Sequence, residues 1–222
     1  MLANWDPADL PASQKREGSD WYAVFNPEVQ RVLDVELVHH LNHDSVVCCV
    51  RFSRDGKYLA TGCNRSAQIF DVTTGQNVAT LQDENVDKDG DLYIRSVCFS
   101  PDGKYLATGA EDKQIRLWEL TVPRGMHPHS GVKGGKCIRT FEGHKDFVLS
   151  VCLTPDGQWV MSGSKDRGVQ FWDPVTGNAQ MMLQGHKNSV ISVAPAPTGN
   201  LFATGSGDMR ARIWRYSTYT GR

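Results

Sequence analysis

The sequence predicts an all-β protein built from a repeated four-stranded unit. Two observations lead there: the chain is similar to itself at regular spacing, and each copy holds period-two apolar runs divided by turn residues. Four segments line up, Val46–Asp71 (VVCCVRFSRDGKYLATGCNRSAQIFD), Tyr93–Glu119 (YIRSVCFSPDGKYLATGAEDKQIRLWE), Phe147–Asp173 (FVLSVCLTPDGQWVMSGSKDRGVQFWD) and Ser189–Arg215 (SVISVAPAPTGNLFATGSGDMRARIWR). Val50, Val97, Val151 and Val193 occupy equivalent positions, at steps of 47, 54 and 42 residues.

The elements follow in chain order. Residues 1–30 form an extension. Arg31–Val38 (RVLDVELV) alternates, with Leu33, Val35 and Leu37 on one face and Asp34 and Glu36 on the other, as a half-buried strand does. The repeats then run over about 41–81, 91–141, 142–183 and 184–216, with a tail at 217–222. In each, a first strand meets a turn at Asp55-Gly56, Asp102-Gly103, Asp156-Gly157 or Thr198-Gly199. A second strand ends in Thr-Gly or Ser-Gly, and a third ends at an aromatic residue. Fourth strands are expected at Gln76–Leu81, Lys136–Phe141 and Asn178–Leu183. Eight residues after Trp214 are too few for another, so 31–38 is expected to complete the last unit and close a ring, removing both sheet edges.

Composition narrows the function classes. A 222-residue chain that is 40% hydrophobic and 9% aromatic can bury a core. Lys plus Arg is 24 and Asp plus Glu 25, a net charge of −1, so direct sequence-specific DNA binding is not expected. No apolar run approaches the ~18 residues of a membrane span. Met1–Pro11 has no basic segment followed by an apolar one, so an intracellular protein is expected. The six cysteines form no C-x-x-C pair and no zinc-like spacing, and Cys48, Cys49, Cys98 and Cys152 sit in strand-like runs as reduced small hydrophobes.

Gly143-His144 precedes Trp172-Asp173, with His144 and Trp172 28 positions apart. His186 and Trp214 repeat the spacing, although Arg215 replaces the final Asp. This pattern resembles the Gly-His to Trp-Asp signature of WD-repeat β-propeller blades, over roughly residues 41–216. The first repeat departs from it, with Phe70 in place of Trp and Arg65 in place of the turn Asp. In the second, Gly90 stands where His is expected.

His144, Ser162 and Asp166 are the residue types of a hydrolytic triad. The set recurs one unit later as His186, Thr204 and Asp208, beside Trp172 and Trp214 respectively. A device present in successive units is structural, whereas an active site is needed once. The WD-repeat resemblance implies a hydrogen-bond network tying loops to each indole, and no catalytic residue is expected. Ser162 also lacks a nucleophile elbow. No metal or cofactor is expected. His127 and His129 in the insert Thr121–Gly135 read as a connector, Gly131–Gly135 lacks the phosphate-loop Lys-Ser/Thr, and Asp83–Asp91 lacks the glutamate at position twelve of a calcium loop.

Longer runs, among them Asn26–Asp34 (NPEVQRVLD), Asp91–Phe99 (DLYIRSVCF), Gly143–Val151 (GHKDFVLSV) and His186–Val193 (HKNSVISV), resemble the C-terminal propeller of the Tup-type, Groucho-like transcriptional corepressors. The resemblance implies a non-enzymatic nuclear scaffold that binds DNA-bound repressors and other corepressor subunits. A generic WD-repeat assembly scaffold or ubiquitin-ligase substrate receptor is the rival reading. Seven blades at about 42 residues each need about 290 residues. The chain passes through Thr121–Gly135 as if three central repeats were omitted, and is expected to be a short or truncated form. Wedges cut for a seven-fold ring subtend about 51° each, so four leave an open arc whose faces invite self-association.

Repeat geometry selects the partner-binding residues. Tyr93, Arg95, Ser96, Phe147, Leu149, Lys187 and Asn188 fall at or just inside the start of a first strand, and Asn64, Glu111, Lys165 and Gly207 at the turn before the third. Both sets are expected on one end of the propeller. There Lys145, Arg167 and Arg210 mix with Asp146 and Asp112, a composition suited to protein partners.

Overall fold

A computed structural model describes residues 10–26, 28–84, 91–120 and 135–217. The chain divides into two compact units, residues 1–42 and 43–222. Among the described residues no helix is long and apolar enough to cross a membrane.

The first unit holds a short 3-10 turn at Ala12–Gln14 and a hairpin of β1 (Lys15–Glu17) and β2 (Tyr22–Val24). The strand expected over 31–38 is not formed, and Val32, Leu33, Val35 and Leu37 are exposed. A strand needs a partner edge for its backbone groups, and this segment has none among the described residues. Its polar residues are held locally: Asp34 pairs with Arg16 and Arg31, and the Arg31 guanidinium lies 3.6 Å from the centre of the Phe25 ring.

The second unit contains four antiparallel sheets, one per repeat. The first is β3 (Cys49–Phe52), β4 (Tyr58–Gly62), β5 (Ser66–Asp71) and β6 (Asn77–Gln82). The second is β7 (Ile94–Phe99), β8 (Tyr105–Ala110), β9 (Ile115–Glu119) and β10 (Lys136–Phe141). The third is β11 (Val148–Leu153), β12 (Val160–Ser164), β13 (Gly168–Trp172) and β14 (Ala179–Gln184). The last has three strands, β15 (Val190–Pro195), β16 (Leu201–Ser206) and β17 (Arg210–Arg215). The expected fold class holds, but the ring is open. Among the described residues the last sheet lacks the fourth strand that 31–38 was expected to contribute.

Local chemistry builds each hairpin. In the first sheet Ser53 Oγ donates to Asp55 Oδ1 at 2.7 Å and accepts from the Tyr58 N–H at 3.0 Å. Gly56 turns the chain at φ 71°, and Gly103, Gly157 and Gly199 repeat that conformation. Ser100 with Asp102 and Thr154 with Asp156 repeat the side-chain bond.

Each sheet packs on the next. Ile69 and Leu81 meet Val97 and Leu106; Ile115 and Leu117 meet Val148 and Val151; Val169 and Phe171 meet Val190 and Phe202. The Thr-Gly and Ser-Gly strand ends belong to this packing. A Cβ on Gly109 would fall 2.6 Å from Val148 Cγ1, and one on Gly163 2.7 Å from Val190 Cγ1. The glycine lets the next sheet approach.

Candidate functional site

In the third sheet, β11 and the loop before it place His144 over β12 and β13. His144 Nε2 lies 2.7 Å from Ser162 Oγ, and Nδ1 lies 2.8 Å from Asp166 Oδ2. These distances would suit a triad, but Ser162 Oγ also accepts the Trp172 indole N–H at 2.9 Å and the residue has no exposed surface. A reacting group has no route to it. The last sheet repeats the set: His186 Nδ1 to Asp208 at 2.9 Å, Nε2 to Thr204 Oγ1 at 2.8 Å, and Trp214 Nε1 donating to Thr204 at 2.9 Å. With Nδ1–H toward the aspartate and Nε2 accepting from the hydroxyl, every member is paired, as a buried network requires.

Burial raises the Asp166 pKa, but the contact with His144 and the backbone N–H groups of Lys145 and Gly168 outweigh it and hold the carboxyl at about 2. The Lys187 N–H and His186 lower Asp208 similarly. An aspartate in an unfolded chain titrates near 4. Stability from Asp166 is therefore complete above about pH 4 and is lost as pH falls from there through about 2. One such group contributes a slope of at most about 1.4 kcal/mol per pH unit. Urea midpoints at pH 7, 4 and 2.5 are expected to fall most steeply between the last two, and Asp166→Asn to flatten that limb. An unchanged limb in Asp166→Asn would remove the carboxylate from this role.

The two departing repeats use other groups. Arg65 has φ 65°, matching Lys113 (70°), Arg167 (74°) and Met209 (65°), each of which follows the turn aspartate. Asn64, not Arg65, therefore takes the aspartate's place, because the first repeat is one residue shorter there. Asn64 Nδ2 donates to Asp91 Oδ1 at 2.8 Å, and Asn64 Oδ1 accepts the Leu92 N–H at 2.7 Å. His43 was missed from sequence. Its Nε2 lies 2.8 Å from Thr61 Oγ1 and its ring meets Phe70 edge-on at 5.4 Å. The signal was a His-to-aromatic spacing of 27 in place of 28. In the second sheet Trp118 Nε1 donates to Thr108 Oγ1 at 3.0 Å. Buried Arg116 donates to Asp83 at 2.8 Å and Asp112 at 2.6 Å, a second feature the sequence did not disclose. Gly90, His127 and His129, and Gly131–Lys133, lie outside the described residues.

Strand pairing places the start of each first strand beside the turn between the second and third. Glu111 N–H donates to Tyr93 O at 3.1 Å, Lys165 N–H to Phe147 O at 3.0 Å, and Gly207 N–H to Ser189 O at 3.0 Å. Tyr93, Arg95 and Glu111 form one cluster: Arg95 pairs with Glu111 and lies 5.2 Å from the centre of the Tyr93 ring. Phe147 and Lys165 form another, with Nζ 4.8 Å from the ring centre. Register shifts at Ile94/Ser96 and Val148/Ser150 leave Arg95 and Leu149 out of the ladder. Exposed Lys187 lines a groove of about 550 Å³ with Lys145, Lys165, Arg167, Asp146 and Asp166. Asn188 Oδ1 accepts the Ser189 N–H at 2.7 Å and so shapes its own loop.

Ser96 is a correction. It is buried, and its Oγ accepts the Val151 N–H at 3.0 Å, because it faces the third sheet and not the solvent. Ser150 makes the same bond to the Val193 N–H at 3.1 Å. The cysteines are free thiols; burial pushes Cys49 up to about 12 and Cys152 well above the usual range, so both stay protonated. No group of three or more metal-ligating side chains occurs among the described residues.

A family model described as "WD domain, G-beta repeat" matches residues 35–71, 75–119, 135–173 and 177–215. The chain is 45% identical to "Transcriptional repressor rco-1" of Neurospora crassa over 310 positions, covering 82% of this chain and 51% of the relative. It is 60% identical to "General transcriptional corepressor tupA" of Dictyostelium discoideum over 117 residues, 53% of this chain and 20% of the relative. The chain thus spans about half or less of the length of these curated relatives. In the first alignment 82% of 222 residues is about 182, leaving about 128 positions without a counterpart here. That is the length of about three repeats of roughly 42 residues. The solved structure "Structure of U3-55K" superposes with a TM-score of 0.66 at 22% identity, over 79% of this chain and 50% of that one, which supports the fold. The repeated Gly-His to Trp-Asp spacing, the four sheets and the family match together establish that the chain belongs to the WD domain, G-beta repeat family.

Proposed function

We propose that the chain is a non-enzymatic interaction scaffold of the transcriptional corepressor type, acting in the nucleus by binding DNA-bound repressor proteins and other corepressor subunits. The observation that carries the reading is a pair of aromatic–cation clusters at the starts of first strands, Tyr93 with Arg95 and Phe147 with Lys165, on a chain similar to rco-1 and tupA. Aromatic and arginine side chains in a mixed-charge rim are the composition of protein–protein hot spots. The face carries acid and base together, which suits a protein surface better than a phosphate backbone.

Tyr93 is the variant of choice, because Asn188 also holds its own loop. Tyr93→Ala is expected to reduce recovery of DNA-binding repressors from nuclear extract at least ten-fold while the melting temperature stays within 2 °C of wild type, in line with a hot-spot loss of about 2 kcal/mol. Cross-linking followed by mass spectrometry reads the partners. Recovery of ubiquitin-ligase components without transcription factors would replace this reading with the substrate-receptor one. A parallel fall in melting temperature would make Tyr93 a fold residue.

A further inference from the structure

Each internal junction joins a trailing half-face to a leading one. The trailing half holds a third-strand apolar residue (Ile69, Leu117, Phe171) and a second-strand glycine (Gly62, Gly109, Gly163). The leading half is the first strand of the next sheet, centred on Val97, Val151 or Val193. Among the described residues one unmatched half-face of each kind remains. On the first sheet Val50 and Phe52 are 57% and 59% exposed, whereas their equivalents Val97 and Phe99 are 1% and 8% exposed. On the last sheet Ile213 is 78% exposed, against 3% for Leu117.

Three details show that the last sheet retains the shape of a junction. A Cβ on Gly205 would meet nothing closer than 3.8 Å, although the equivalent glycines are tightly covered. Ser192 stands where Ser96 and Ser150 accept a valine N–H from the following sheet. The outer edge of β17 also has no strand partner among the described residues. The family match to the second, third and fourth repeats begins at 75, 135 and 177, just before the outer strands β6, β10 and β14 of the preceding sheets. It begins the first repeat at 35, so residues 35–38 hold the register of an outer strand. That segment carries Glu36, while β17 carries Arg210, Arg212 and Arg215.

We infer that two copies of this chain associate head to tail, the last sheet of each receiving the first sheet of the other, in a closed ring of eight sheets. At both junctions Ile213 and Gly205 of one copy receive Val50 and Phe52 of the other, Ser192 Oγ accepts the Val50 N–H, and residues 35–38 pair along β17. The connectivity matches that of the internal junctions, where an outer strand leads into the first strand of the next sheet. Eight blades are within the range of closed propellers, and the step per blade falls from about 51° to about 45°. The two junctions are identical under a two-fold axis, so the assembly stops at a dimer.

The test is light scattering on the full chain from 1 to 100 µM, where twice the monomer mass is expected. Gly205→Val adds volume where this copy has free space and the junction has none, and Phe52→Asp places a charge in the opposite half-face. Each is expected to weaken association at least 100-fold while the monomer keeps its far-ultraviolet spectrum. Mixing the two variants is expected to restore a dimer through the junction that carries neither substitution; Ile213→Val retains the wild-type mass. A monomer at 100 µM, a mass that keeps growing with concentration, or a dimer unaffected by Gly205→Val would each overturn the ring.

Discussion

Trp172→Ala is expected to lower the unfolding free energy by about 3–5 kcal/mol, the range for removing a large aromatic side chain from a packed core. Trp172 has no exposed surface and lies in the cluster joining the second and third sheets. Phe141 lies 5.7 Å from it and the His144 ring 5.9 Å, so deletion opens a cavity on two sides. It also removes the indole donor from Ser162. Trp172→Phe keeps most of the volume and is expected to cost about 1–2 kcal/mol, largely for the lost hydrogen bond. The first sheet supplies the natural precedent, since Phe70 occupies the tryptophan position there against His43. Urea denaturation followed by circular dichroism gives both numbers. A loss below 1 kcal/mol for Trp172→Ala would mean that the sheets are not coupled through this ring.

Arg116→Ala is the second large effect, expected at about 3 kcal/mol, because it leaves two largely buried carboxylates without their cation. Arg116 is 5% exposed and its guanidinium bridges Asp83 and Asp112, with Gln114 Oε1 accepting at 2.7 Å. The third sheet has Gln170 at this register and the first has Gln68, both neutral. The double variant Arg116→Gln with Asp112→Asn removes one charge of each sign and is expected to cost less than half as much as Arg116→Ala. Buried pairs are little screened, so the difference should persist from 0.05 to 0.5 M salt. A double variant as damaged as the single one would indicate that Arg116 acts by packing and not by charge.

Much of the second unit was legible in the sequence. The period-two runs and turn glycines mark strands locally, and the spacing of His144, Ser162, Asp166 and Trp172 describes a network complete within one repeat. The missed features depend on contacts between repeats or on small shifts in length. Ser96 looked like a surface position because it falls just inside the start of a first strand; the register shift beside it turns the hydroxyl toward the third sheet. Asn64 and His43 were obscured by a one-residue shortening that the left-handed backbone at Arg65 makes plain. Arg116 finds its second carboxylate 33 residues away at Asp83, and no local pattern reports that pairing.

The sequence by itself determined the class, the four repeated sheets of the second unit and the indole networks of the third and fourth, because these rest on local alternation, turn chemistry and spacing inside one repeat. Only the tertiary structure decided what becomes of the ends. Residues 31–38 have the alternation of a strand, but a strand exists only where another edge satisfies its backbone, and the last sheet stands three strands wide. Likewise Val50, Phe52 and Ile213 occupy positions whose equivalents Val97, Phe99 and Leu117 are buried. Whether such residues are buried depends on a neighbouring sheet that local pattern cannot supply.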